Sequence, residues 1–164
     1  MNTLLSHLGF ARKFALMGLL AALAMLLPGL LYLHEARQSL AFAEREAAGI
    51  PVVRSLYAVL RLTQEHRGLS TNALAGNAQA ASARPAKQAE VDQAVAAVSQ
   101  ALQASGQASL VHAWDGAARQ WRDTAEAATQ GRVGALDNFR RHNDLVAAQL
   151  AVLSQFVERR REAL

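Results

Sequence analysis

Arg67 stands among Thr63, His66 and Ser70 on a stretch, Val52 to Asn77, whose apolar side chains recur at the three-and-four spacing of a helix with one buried face. Counted at about 100° per residue, Leu56, Leu60, Thr63, Arg67, Ser70 and Leu74 share a narrow sector. A guanidinium thus falls where packing asks for another leucine. Taking such a charge out of water unpaired costs on the order of several kcal/mol, so Arg67 needs acceptors around it. Two chemistries meet that need. An acid from another helix, Asp115, Asp123 or Asp144, makes a structural ion pair. Left partly free, the planar fork holds a carboxylate or small oxyanion bidentately, with Thr63 and Ser70 donating beside it and His66 at the edge of the face. Glu65 points to the opposite side.

Other chemistries lack their residues. The sequence contains no nucleophile elbow, P-loop, dinucleotide fingerprint or EF-hand loop, and no enzyme is expected. The absence of cysteine excludes disulfides, thiolate metal sites, thiol catalysis and c-type haem attachment. No pair among His34, His66, His112 and His142 stands at i and i+4 with a helper carboxylate, and the residues three before them are Leu31, Thr63, Ser109 and Phe139, so the repeated Glu-x-x-His of a di-iron bundle is missing. No cofactor or metal is expected. Seventeen basic and thirteen acidic residues are dispersed, and the Arg159 to Arg161 cluster reads as a solvated helix end, so no nucleic-acid partner is expected either.

The elements that must carry Arg67 are helices. Alanine and leucine dominate, aromatics are few and only three prolines occur. Phe14 to Leu33 is uncharged, and at about 1.5 Å per residue it spans the roughly 30 Å hydrocarbon core of a bilayer. Arg12 and Lys13 precede it without an acid, whereas the flank beyond it is net negative, which orients the N-terminus to the cytoplasm. A cleaved signal peptide is the alternative, but the apolar core exceeds the usual length of roughly 7 to 15 residues. The organisation expected is a cytoplasmic stub over 1–13, a transmembrane helix over 14–33 and an extracytoplasmic bundle over 34–164.

The three-and-four rhythm through Ala36, Leu40, Ala43, Ala47, Ile50 and Val53 survives Gly49 and Pro51, so the first helix runs, kinked but continuous, to about Ala75. Gly76 and Asn77 stop it, and Ala78 to Pro85 reads as a surface connection. Val91, Val95, Val98 and Leu102 mark a second helix; Leu110, Trp114, Trp121, Ala125 and Ala128 a third. The fourth carries Leu136, Phe139, Val146, Leu150, Leu153 and Val157, with His142 at the edge of that stripe. Short loops favour antiparallel neighbours, giving an all-α, up-down-up-down four-helix bundle continuous with the transmembrane helix.

The segment Leu-Thr-Gln-Glu-His-Arg-Gly-Leu-Ser, residues 62–70, followed by Ala-Leu-Ala-Gly-Asn, residues 73–77, resembles the N-terminal part of the periplasmic sensor region of methyl-accepting chemotaxis proteins and of related membrane diguanylate cyclases and histidine kinases. It is also similar to the Leu-Gln-x-Glu-Arg-Gly-x-Ser motif of nitrate- and nitrite-sensing helical domains: Gln64, Arg67, Gly68 and Ser70 match, while Thr63 replaces the leucine and His66 the glutamate. Weaker echoes are Trp121 in the third helix and Phe139 with His142 and Leu145 in the fourth. The resemblance implies the ligand-sensing part of a bacterial inner-membrane receptor; with Thr63 and His66 departing from the motif its ligand does not carry over, so the small anion or carboxylate expected rests on Arg67 and the homodimer on the length of the first helix. Such receptors continue into a second transmembrane helix, a HAMP linker and a signalling module, so the chain reads as an incomplete sensor region without an output of its own. The alternative is a membrane-tethered structural or interaction module with Arg67 locked in an internal salt bridge.

Overall fold

A computed structural model describes residues 9–162, apart from the side chains of residues 41, 44–46 and 48. Most of the expected stub, residues 1–8, lies outside the described residues, as do residues 163 and 164. All regular structure among the described residues is helical: α1 (Phe10–Leu74), α2 (Ala78–Ala104), α3 (Ala108–Thr129) and α4 (Ala135–Glu162). The chain divides into two compact units, one up to Arg45 and one from Glu46 onward.

The first unit is the apolar part of α1. Its stretch Phe10–Leu40 is 31 residues long, reaches a mean hydropathy of 2.3 and has none of its most apolar window buried. It is long and apolar enough to cross a membrane, and the expected span 14–33 lies within it.

In the second unit the four helices form a bundle around one hydrophobic core to which each contributes. The α1 residues at its centre are Val52, Leu56, Val59, Thr63, His66 and Ser70, all 0–1% exposed. From α4 come Asn138, His142, Leu145, Gln149, Val152 and Phe156, at 0–3%. Both rows advance by four, three, four, three and four residues, which averages the helical repeat and keeps one face inward. The hydrogen-bonded pairs Ser70–Asn138, His66–His142 and Thr63–Gln149 step in opposite directions along the two helices, so α1 and α4 are antiparallel.

These rows correct the expected faces. The buried line of α1 passes through His66 rather than Arg67, which is half-buried at its border. On α4 the expected stripe is largely outside: Leu136, Phe139, Leu150 and Val157 are exposed, and His142, expected at the edge, lies at the centre. α3 buries the expected Leu110, Trp114, Trp121, Ala125 and Ala128, and α2 buries Val91, Val98 and Leu102.

The connection expected over Ala78 to Pro85 is helix. Gly76, at φ +95°, ends α1 alone. Asn77 does not adopt the left-handed conformation; at φ −77° it caps α2, its side chain accepting from the Ala80 backbone N–H at 2.9 Å. The cap supplies the start, and the alanines that follow have the highest helix propensity, so they extend the helix through Pro85.

Candidate functional site

The polar residues of the two rows form a buried layer between α1 and α4. His142 Nδ1 lies 2.8 Å from the Asn138 backbone carbonyl. A carbonyl only accepts, so Nδ1 carries the proton and, in the neutral ring, Nε2 is an acceptor. His66 Nδ1 lies 2.9 Å from that Nε2 and must therefore donate to it. His66 Nε2 is then a bare lone pair, buried and without a partner. The rings are stacked with centroids 5.2 Å apart, and Trp121 of α3 meets His66 edge-on at 4.9 Å.

Burial, reinforced by His142 and by Arg84 of α2, pushes the His66 pKa down to about 3. Burial also lowers that of His142, against the Asn138 carbonyl and together with Arg67. Around the pair, Ser70 Oγ donates to Asn138 Oδ1 at 3.2 Å, Asn138 Nδ2 donates to Thr71 Oγ1 at 3.0 Å, and Gln149 Nε2 donates to Thr63 Oγ1 at 3.1 Å. Gln149 Oε1 and Arg84 Nε are buried without partners.

The expected ligand group Thr63, His66, Arg67 and Ser70 is thus divided. Thr63, His66 and Ser70 lie inside, each already bonded to α4. Arg67 sits on the rim, donating from Nη1 to Asn143 Oδ1 at 2.5 Å with its guanidinium 4.8 Å from the centre of the Phe139 ring. Among the described residues no acid forms an ion pair with it, so the structural pair expected with Asp115, Asp123 or Asp144 is not formed. The guanidinium borders a shallow, open depression lined also by Tyr57, Leu60, Gln64, Leu150 and the ion-paired Arg61 and Glu65. Glu65, expected on the outer side, is half-buried and accepts from Lys87 of α2 at 2.8 Å, and that ammonium is the main cause holding its carboxyl below the usual range.

The tryptophans act as core residues with polar tethers. Trp121 Nε1 donates to Asp92 of α2 at 2.7 Å and Trp114 Nε1 donates to Ser99 at 3.0 Å. Among the described residues no three His, Asp or Glu side chains converge as metal ligands. Sequence reasoning missed the His66–His142 pair, whose signal is the spacing that α1 and α4 share. No protein-family model matches the chain, and no curated protein or solved structure matches it.

Proposed function

We propose that the chain is the ligand-sensing part of a bacterial inner-membrane receptor of the chemoreceptor kind, with its N-terminus in the cytoplasm and an up-down-up-down four-helix bundle in the periplasm. The observation that carries this reading is the continuity of α1, one helix bearing both the apolar stretch and the buried polar layer. A change in how α1 packs on α4 is a change at one end of the element that enters the bilayer. Two packed arrangements of similar energy suffice for such a signal.

The ligand proposed is a small anion or carboxylate on Arg67. Its guanidinium is met by a neutral amide and an aromatic face and forms no ion pair among the described residues, which leaves it able to form one with a ligand. An oxyanion entering the depression would displace Asn143 and gain a bidentate, charge-assisted contact. Thr63, His66 and Ser70 lie behind Arg67 and register the displacement through their bonds to α4. The receptor is further proposed to be a homodimer, a second copy covering the exposed Ile50, Tyr57, Phe139 and Leu150 and so closing the depression over an anion bound at Arg67.

Titration calorimetry of the full chain in nanodiscs with nitrate, nitrite, acetate and succinate tests the ligand. Saturable binding of one of them is expected, weakened at least tenfold by Arg67→Ala. Equal binding by the variant removes Arg67 from the site.

A further inference from the structure

The strongest feature that anion sensing does not use is the histidine pair, and its hydrogen-bond accounting leaves no room for another proton. His142 Nδ1–H is given to the Asn138 carbonyl, and His142 Nε2 accepts from His66 Nδ1–H. A proton added to His142 Nε2 sets two N–H groups against each other at 2.9 Å and breaks the link between the helices. A proton added to His66 Nε2 creates a cation at a buried nitrogen that has no acceptor. Either addition opposes the packed state.

The surroundings do not relieve it. From α1 the charged group acting on the pair is Arg67 and from α2 it is Arg84, both cationic. α3 presents the Trp121 ring, whose own N–H is committed to Asp92. α4 presents the Asn138 carbonyl, already engaged. No carboxylate acts on either ring among the described residues.

We infer that His66 and His142 are a proton-operated catch between α1 and α4, closed while both rings are neutral and released when solvent protons are taken up by the separated rings. The proton is thus a second ligand of the bundle, and its action needs no anion at Arg67. Once apart, each ring has an ordinary pKa near 6.5, so the ratio of released to closed bundle should rise about 100-fold between pH 7.5 and pH 5.5, roughly tenfold for each ring. One member of the pair, His66, lies on the helix that carries the apolar stretch, which makes acid a signal to that helix.

Amide hydrogen exchange of the full chain in nanodiscs, corrected for the intrinsic pH dependence of exchange, reads the release directly. Protection over residues 63–70 and 138–149 is expected to fall about 100-fold from pH 7.5 to 5.5 in the wild type. It should change less than about threefold in the double variant His66→Gln/His142→Gln, whatever its starting protection, and His112→Gln should behave as wild type. A wild type without the fall, or a double variant with the same fall, overturns the catch. Histidine nitrogen NMR of the wild type supplies a second measurement that needs no variant. Neutral tautomers in the closed population at pH 5.5 support the catch, and imidazolium signals from a pair still packed against Trp121 overturn it.

Discussion

One half of the α1–α4 contact, toward Val52 and Phe156, is built from Val52, Leu56, Val59, Val152 and Phe156 within the hydrophobic core. The other half, toward Ser70 and Asn138, has the same spacing but consists of Thr63, His66, Ser70, Asn138, His142 and Gln149, interrupted only by Leu145. The geometry is shared and the chemistry is not. Apolar burial is non-directional and scales with the area removed from water, so the first half stabilises the contact without caring closely about angle. Each polar group in the second half is satisfied only by a partner at the right place, and losing that partner exposes the full desolvation cost. The apolar half holds the helices together, and the polar half gives the contact a state that can change.

The sharpest way to break the comparison is to remove the largest side chain of the apolar half. Phe156→Ala should cost about 3–5 kcal/mol in urea unfolding of the chain in micelles, at neutral and acidic pH alike, because no titratable group is lost. Acid should act on the other half. The His66 pKa, about 3 folded against 6.5 unfolded, means that the unfolded state binds the extra proton, so stability is complete above pH 6.5 and declines as pH falls toward 3. Moving from pH 7 to pH 5 should therefore remove about 2 kcal/mol through His66, with a further loss in the same direction from His142, measured as a lower urea midpoint. The smallest effect belongs to Thr63 and Gln149. Gln149→Leu alone should cost about 1 kcal/mol by stranding the Thr63 hydroxyl, whereas Thr63→Val with Gln149→Leu should be close to neutral, as a double-mutant cycle of thermal midpoints would reveal.

How much could be read beforehand depended on whether a buried face was also a greasy one. On α3, Leu110, Trp114 and Trp121 leave a single apolar line, and that line is the one buried. On α1 the search for apolar residues finds Leu56, Leu60, Thr63 and Ser70, which are buried, but sets Arg67 where His66 lies; on α4 it selects a line one position away, through Leu136 and Leu150. The true lines include His66, Asn138, His142 and Gln149, which are tolerable inside only because they bond to residues between 67 and 86 positions distant. No local pattern carries that information. The repeated four-three spacing in two separate segments does, but only once the segments are known to be neighbours. Asn77 shows the same limit at shorter range: its residue type suits a helix end or a helix start, and the direction was decided by the Ala80 N–H.

The spacing shared by α1 and α4 carries one more consequence. Slide α4 by seven residues and the four-three spacing of the two rows would still match where they overlap, yet His142 would come level with Val59, and Gln149 with Val52. Two polar side chains would then be sealed against hydrocarbon. The misaligned alternative is thereby penalised in the sequence itself, and the buried histidines and amides serve as the vernier by which these two rods find their one alignment.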